Sequence, residues 1–223
     1  MTALAERTRI AVPLLGQEAA KRAVDLSLSL ALISLLAPLL ALLWCLVRLT
    51  SPGPALFRQE RVGRNMRPFT MLKLRTMYVR NDDQVHRTYV AHLLSAERPA
   101  GARQNGLFKL DSDPRVTRFG AWLRRTSLDE LPQLFNVLRG EMSMVGPRPV
   151  LPWEAQLFEE TYQWRFLVKP GITGLWQVSG RNDVSYRTRV ALDCLYAKSQ
   201  SPALYLWIVI VTIPAVLSRK GSY

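Results

Sequence analysis

Two adjacent carboxylates, Asp129 and Glu130, lie in a stretch of the chain that is otherwise rich in arginine. Arg124 and Arg125 precede them, and Arg148 follows in a Gly-Pro-Arg-Pro sequence. Because successive helix positions point about 100° apart, the two acids can do different work. One can attack phosphorus, while the other holds a divalent cation such as Mg²⁺. Since arginines and a metal stabilise the charge that builds on phosphate oxygens, the stretch indicates phosphoryl transfer.

The sequence around these acids is typical of a helix start. Ser127 and Glu130 have the spacing of a capping box, which would place both acids in the first helical turn. Unpaired N–H groups and the positive end of the helix dipole favour carboxylates and phosphates there. The same preference leaves a second interpretation open, because acids in a first turn also stabilise a helix without any catalytic role.

The composition is strongly basic and narrows the choice of partners. The 223 residues include 30 Lys and Arg against 17 Asp and Glu, for a net charge of +13. An anionic partner is implied: nucleic acid, an anionic lipid surface or a phosphorylated substrate. Cys45 and Cys194 form neither a disulfide framework nor a zinc site. His86 and His92 lie in a polar stretch, where we interpret them as solvated. No phosphate-binding loop of the Walker type, dinucleotide fingerprint or nucleic-acid motif is present.

A long apolar segment predicts contact with a membrane. Leu26 to Val47 carries no charge, and a straight helix of that length spans about 33 Å at roughly 1.5 Å per residue. Pro38 lies in its middle and predicts a bend, which fits either a kinked single span or a re-entrant hairpin. Basic residues flank both ends and favour a cytoplasmic position for both. Charge alone leaves the two topologies open.

The remaining chain predicts short elements. Ala55–Val62 and Phe69–Met77 have the pattern of a β-hairpin. We expect helices near 86–94, over 113–123 and over 186–198. A second apolar run, Ala203–Leu217, predicts a helix that is either interfacial or buried.

A glycine-punctuated loop follows Pro170 and carries Thr173, Gln177, Ser179 and Arg181. Those side chains can contact a polar ligand, although on composition the loop can equally be a structural turn.

A series of ordered motifs resembles the bacterial sugar transferases that are monotopic phosphoglycosyl transferases. The resemblance extends over 21–223. It rests on Lys73-Leu-Arg-Thr-Met77, Ser127-Leu-Asp-Glu-Leu-Pro-Gln133, Val145-Gly-Pro-Arg-Pro149, Pro170-Gly-Ile-Thr-Gly174 and Gln177-Val-Ser-Gly-Arg181.

This resemblance implies transfer of a sugar-1-phosphate from a UDP-sugar to undecaprenyl phosphate, with release of UMP. It makes Asp129 the residue that forms a covalent phosphosugar intermediate and Glu130 a contributor to a Mg²⁺ site. Transfer of this kind is the first membrane step of exopolysaccharide, capsule or O-antigen biosynthesis, and the galactose- and glucose-1-phosphate transferases are the most similar members. Substrate or phosphate contacts are expected at Arg124, Arg148, Lys73, Arg75, Gln177 and Arg181.

The expected fold is α+β and monotopic. Residues 1–20 form a lead-in, 21–50 a re-entrant helix-break-helix at Pro38, and 51–223 a compact, mainly helical catalytic domain with a small β-hairpin and interfacial helices. The family often has Ser-Pro where this chain has Ala37-Pro38, so the bend should be less sharply fixed. The resemblance predicts a catalytic core without the N-terminal domains of larger members.

The resemblance places the protein at the bacterial inner membrane, with its catalytic domain facing the cytoplasm. Anionic membrane lipids are expected partners, a homodimer is compatible with the sequence, and nucleic acid is not expected. Two rival functions differ in class. The first is a non-catalytic basic protein that binds membranes or nucleic acid. The second is a direct glycosyl transferase, which would release UDP.

Overall fold

A computed structural model of the chain describes residues 15–78, 115–180 and 184–217. It confirms a mixed architecture of helices and small sheets. Three short 3₁₀ helices lie at Arg64–Met66, Leu128–Glu130 and Glu160–Leu167. In chain order, the other elements are α1 (Leu15–Thr50), β1 (Leu56–Val62), β2 (Pro68–Leu74), α2 (Arg118–Thr126), α3 (Gln133–Arg139), β3 (Ser143–Val145), α4 (Pro152–Gln156), β4 (Gly171–Thr173), α5 (Leu175–Val178), α6 (Tyr186–Lys198) and α7 (Pro202–Leu217).

Helix α1 contains the predicted apolar segment and is longer than predicted. Its Glu18–Thr50 portion is long and apolar enough, by length and composition, to cross a membrane. The predicted break at Pro38 is not confirmed, because every residue of α1 on either side of this proline is helical. A proline removes only one intrahelical hydrogen bond, and buried residues on both sides of it keep the helix packed. The re-entrant path through the membrane stays a prediction.

Both ends of α1 pack against the rest of the protein. Near the N-terminal end, the buried Asp25 carboxylate accepts hydrogen bonds at Oδ1 from Ser143 Oγ (3.0 Å), Met144 N (2.8 Å) and Tyr205 OH (2.7 Å). Near the other end, Leu43 and Val47 are buried; they pack in one cluster with Ala55, Leu74 and Leu123. The opposite side of the helix is exposed and apolar at Leu30, Leu35, Leu42 and Leu49.

The predicted β-hairpin is confirmed, with shorter strands than expected. Strands β1 and β2 pair antiparallel, with Gln59 opposite Met71 and Arg61 opposite Phe69. Strand β2 ends at Leu74 instead of Met77, which forms an isolated bridge with Val116.

A parallel pair, β3 and β4, was not predicted. It joins the Gly-Pro-Arg-Pro loop to the Pro-Gly-Ile-Thr-Gly loop, with Ser143 opposite Gly171 and Val145 opposite Thr173. A Cβ on Gly171 would collide with the backbone of Gly146, and a Cβ on Gly146 would lie 2.8 Å from Gly171 N. Glycine at both positions therefore permits the close approach of the two loops.

The helical predictions were correct to different degrees. Helix α6 has the predicted bounds, whereas α2 begins at Arg118 and not at residue 113. Helix α7 is buried on one side, where Tyr205 and Ile208 lie in the core, while Trp207 and Ile210 are exposed. Its position at a membrane interface stays a prediction. The predicted helix near 86–94, with both histidines, lies outside the described residues.

Candidate active site

Asp129 and Glu130 lie in the 3₁₀ helix Leu128–Glu130, between α2 and α3. The predicted capping box is wrong. Ser127 has a left-handed backbone (φ 57°), its N–H bonds to the end of α2, and its side chain caps nothing. An N-cap residue needs an extended backbone, whereas a left-handed residue typically ends a helix. The acids consequently lie in a tight turn that precedes α3, which begins at Gln133.

Lys73 and Arg148 bring positive charge to the two acids. Lys73 Nζ lies 2.7 Å from Glu130 Oε1 and 4.0 Å from Asp129 Oδ2. Arg148 Nη1 lies 3.5 Å from the same Glu130 oxygen. Asp129 is only 8% exposed, whereas the Arg148 side chain is 45% exposed and can reach an incoming anion. One ammonium group thus offsets the repulsion between two neighbouring carboxylates and holds them in place.

Lys73 and Arg148 line a small cleft of about 220 Å³, open mouth included. Arg61, which sequence reasoning missed, lines the cleft with Lys73 and Arg148. Its Nη1 donates to Pro149 O at 3.3 Å, and its Nη2 donates to Gln59 Oε1 at 2.6 Å. The signal was available in the strand pattern, because the hairpin register places Arg61 and Lys73 on one face.

A buried ion pair between Arg165 and Asp193 contacts the backbone of the loop that carries Arg148. Arg165 Nη2 donates to Arg148 O at 2.6 Å and to Asp193 Oδ2 at 2.8 Å. Both side chains of the pair are 3% exposed. The guanidinium also stacks over Phe158, 4.9 Å from the ring centre. Burial raises the pKa of Asp193 to about 7, against the opposing effect of the Arg165 charge. Sequence reasoning did not find this pair, since its members are far apart in the chain.

The other predicted contact residues lie elsewhere. Arg124 donates from Nε to Thr76 Oγ1 at 2.9 Å. Arg75 is buried against Ser51 at the end of α1, donating to Ser51 instead of to either acid of the site. Gln177 donates to Ile172 O at 3.0 Å, which favours the structural interpretation of its loop. Arg181 lies outside the described residues.

The two acids suit a magnesium ion that shares its coordination with a substrate. Among the described residues, no third His, Cys, Asp or Glu joins them in a cluster that could hold a metal. Mg²⁺ commonly binds one or two carboxylates together with water and substrate phosphates, so Asp129 and Glu130 fit that role. Magnesium binding stays a prediction.

The chain is similar to known proteins over most of its length. Residues 16–219 match the family model described as "Bacterial sugar transferase". The chain is 46% identical over 203 residues to the "UDP-galactose-lipid carrier transferase" of Erwinia amylovora, covering 91% of this chain and 41% of that protein. It is 44% identical over 204 residues to the "Exopolysaccharide production protein ExoY" of Rhizobium meliloti (strain 1021), covering 92% of this chain and 88% of that protein.

The name of a third relative includes both a lipid phosphate and a sugar. The "Undecaprenyl-phosphate galactose phosphotransferase" of Salmonella typhimurium is 43% identical over 203 residues, which are 91% of this chain and 41% of that protein. The chain thus spans about two fifths of the length of the Erwinia and Salmonella relatives. The long apolar helix and these relatives together indicate association with a membrane. The family match covers nearly the whole chain, and we conclude that the protein belongs to the bacterial sugar transferase family.

Proposed function

We propose that the protein transfers a hexose-1-phosphate from a UDP-sugar to undecaprenyl phosphate during assembly of a bacterial surface polysaccharide. The observation that carries this proposal is the buried Asp129 beside Glu130 and Lys73, with Arg148 against Glu130 and with Lys73 and Arg148 lining a cleft. The names of the relatives supply the donor and acceptor classes. They also favour galactose or glucose as the sugar.

The proposed reaction has two displacements at one phosphorus. In the first, an Asp129 carboxylate oxygen attacks the phosphorus that bears the sugar, and the bond from that phosphorus to the bridging oxygen breaks. UMP leaves with the bridging oxygen, and the sugar phosphate stays on Asp129. In the second, a phosphate oxygen of undecaprenyl phosphate attacks the same phosphorus and displaces the carboxylate. The products are the lipid diphosphate sugar and free Asp129.

The described residues suit each displacement. Lys73 and Arg148 supply positive charge where the diphosphate must bind, and charged donors make the stronger hydrogen bonds to phosphate. Lys73 Nζ also lies 4.0 Å from Asp129 Oδ2, which places positive charge beside the carboxylate that would attack. Glu130 would hold Mg²⁺ together with the substrate phosphates, and the charge of the ion would offset that of the diphosphate.

The packing of α1 supports a monotopic position in a membrane. We propose that this is the bacterial inner membrane. Asp25 near one end of the helix and Val47 near the other both pack against the globular part of the chain. A straight crossing would carry one of these ends to the far side of the bilayer. We therefore propose that α1 enters and leaves the same leaflet, with its exposed leucines toward lipid and the catalytic domain in the cytoplasm. Anionic lipids and a homodimer stay predictions.

The test is a release assay in nanodiscs with Mg²⁺, undecaprenyl phosphate and either UDP-galactose or UDP-glucose. We expect UMP as the nucleotide product and a lipid-linked sugar diphosphate. Release of UDP would instead indicate direct glycosyl transfer. A panel of UDP-sugars without turnover, together with salt-dependent binding of nucleic acid, would favour the non-catalytic rival.

A further inference from the structure

Arg75 is a buried arginine at the C-terminal end of α1. It is 6% exposed. Its Nη2 donates to Ser51 O at 2.6 Å and to Ser51 Oγ at 2.8 Å. Its Nε and Nη1 are buried and have no hydrogen-bond partner. Within the part of the chain that the structure describes, no carboxylate forms an ion pair with this guanidinium.

This arrangement leaves a positive charge without a counter-ion. Buried charges in proteins are normally paired, because the loss of hydration is otherwise uncompensated. Nη2 of Arg75 acts as a helix cap, because it donates to the Ser51 carbonyl. This role does not account for the burial of the other two nitrogens, which have no hydrogen-bond partner. Arg48 adds a second positive charge nearby. Burial and this neighbour both lower the pKa of Arg75. The surroundings of Arg75 therefore favour the binding of an anion next to its guanidinium group.

The position of Arg75 suggests where that anion comes from. Leu49, two residues before Ser51, is 82% exposed, and the Arg48 guanidinium lies over the Trp44 ring at 5.4 Å. Exposed leucine, tryptophan and arginine at a helix end are typical of the interface between lipid and water. Thr76, next to Arg75, accepts from Arg124 on the helix that leads to the two acids. The buried guanidinium thus lies between the membrane-facing end of α1 and the elements that carry the active site.

We propose that Arg75 binds the phosphate of a lipid at the end of α1, with its Nε and Nη1 groups donating to phosphate oxygens. This rests on the proposed function, in which the lipid is the acceptor undecaprenyl phosphate. Anionic phospholipids offer the same phosphate chemistry and are distinguished by experiment. In the acceptor case, Arg75 is a specificity residue for the second substrate and is separate from the donor cleft of Lys73 and Arg148.

The test compares Arg75→Gln and Arg75→Lys with Arg58→Gln, which removes the same charge from an exposed position of the same hairpin. Each enzyme is assayed in phosphatidylcholine nanodiscs with and without phosphatidylglycerol, and its thermal unfolding is recorded. We expect Arg75→Gln to raise the KM for undecaprenyl phosphate about tenfold or more, as for the loss of a charge-assisted hydrogen bond. The KM for the UDP-sugar should change less than twofold. Arg75→Lys should recover part of the loss, and Arg58→Gln should change neither KM.

Two results would overturn the proposal. The first is no change in either KM. The second is an equal rise in both KM values with a lower unfolding temperature, which would make Arg75 a helix cap only. An effect that appears only with phosphatidylglycerol present would support phosphate binding by Arg75 but would refute its assignment to the acceptor. Binding to vesicles that contain undecaprenyl phosphate gives a separate readout without turnover. Arg75-dependent binding by an inactive wild-type protein would support the subsite while refuting the proposed function.

Discussion

Replacing Gly146 with alanine should separate the two loops that flank the donor cleft. A Cβ at this position would lie 2.8 Å from Gly171 N and still closer to Lys169 O. Both neighbours are backbone atoms, so no side chain can rotate away to make room. Restoring an ordinary contact of 3.4 Å to Gly171 N alone requires a shift of about 0.6 Å, and relieving the closer contact with Lys169 O requires a larger one.

The size of the effect follows from the hydrogen bonds between the loops. Gly146 N donates to Thr173 O at 2.9 Å and Gly171 N donates to Pro147 O at 2.9 Å. A shift of that size would stretch both bonds to the limit of hydrogen bonding. At about 1 kcal/mol for each bond, the free energy of unfolding should fall by about 2 kcal/mol. Arg148 lies two residues farther along and would be displaced, and a misplacement of about 1 Å can cost on the order of 100-fold in rate.

Gly63→Ala provides the matched control. Gly63 has an ordinary extended backbone (φ −105°), and its added Cβ would lie 3.2 Å from Arg67 O, at the hairpin turn. We expect this variant to retain transfer activity within about threefold and to lose less than about 1 kcal/mol in urea unfolding, since a few tenths of an ångström suffice to relieve it. If Gly146→Ala behaved like Gly63→Ala in both assays, the reasoning from loop contact would be refuted.

Two further predictions concern the charges around the site. Lys73→Met should lower the transfer rate by about 100-fold or more with little change in thermal unfolding, because it removes the cation beside both acids; a rate within threefold of wild type would exclude Lys73 from the site. Asp193→Asn should lower the free energy of unfolding by about 3 kcal/mol, because Arg165 would keep a buried charge without its partner. Urea unfolding would check that loss, and a several-fold higher KM for the UDP-sugar would show that the Arg148 loop had loosened. Unchanged stability would mean that Phe158 and the Arg148 carbonyl hold Arg165 without Asp193.

Local features were predictable from the sequence. Helix α6 has its predicted bounds because Ser185 accepts a hydrogen bond from Thr188 N, a capping signal encoded in adjacent residues. The hairpin and the apolar α1 follow from alternation and composition in the same way. The prediction of a capping box at Ser127 was wrong because the backbone of Ser127 is left-handed and ends the preceding helix. The spacing of Ser127 and Glu130 in the sequence does not reveal this conformation.

Contacts between distant segments were not predictable. Arg22 is one of the basic residues that flank the apolar segment, and it donates to the Val137 and Leu138 carbonyls near the end of α3. Asp25 binds β3, which leads directly into the Arg148 loop. A single sequence contains no signal for such pairings, because they depend on how α1 packs against segments that are far away in the chain.

The most direct test of the account is to trap the covalent intermediate. The protein would be mixed with UDP-galactose or UDP-glucose and Mg²⁺ in the absence of undecaprenyl phosphate, quenched, digested and analysed by mass spectrometry. We predict a hexose phosphate on the peptide that contains Asp129, formed together with UMP, and no such adduct in Asp129→Asn. UMP release that required undecaprenyl phosphate, with no adduct on Asp129 at any time, would contradict the account and indicate direct transfer to the lipid.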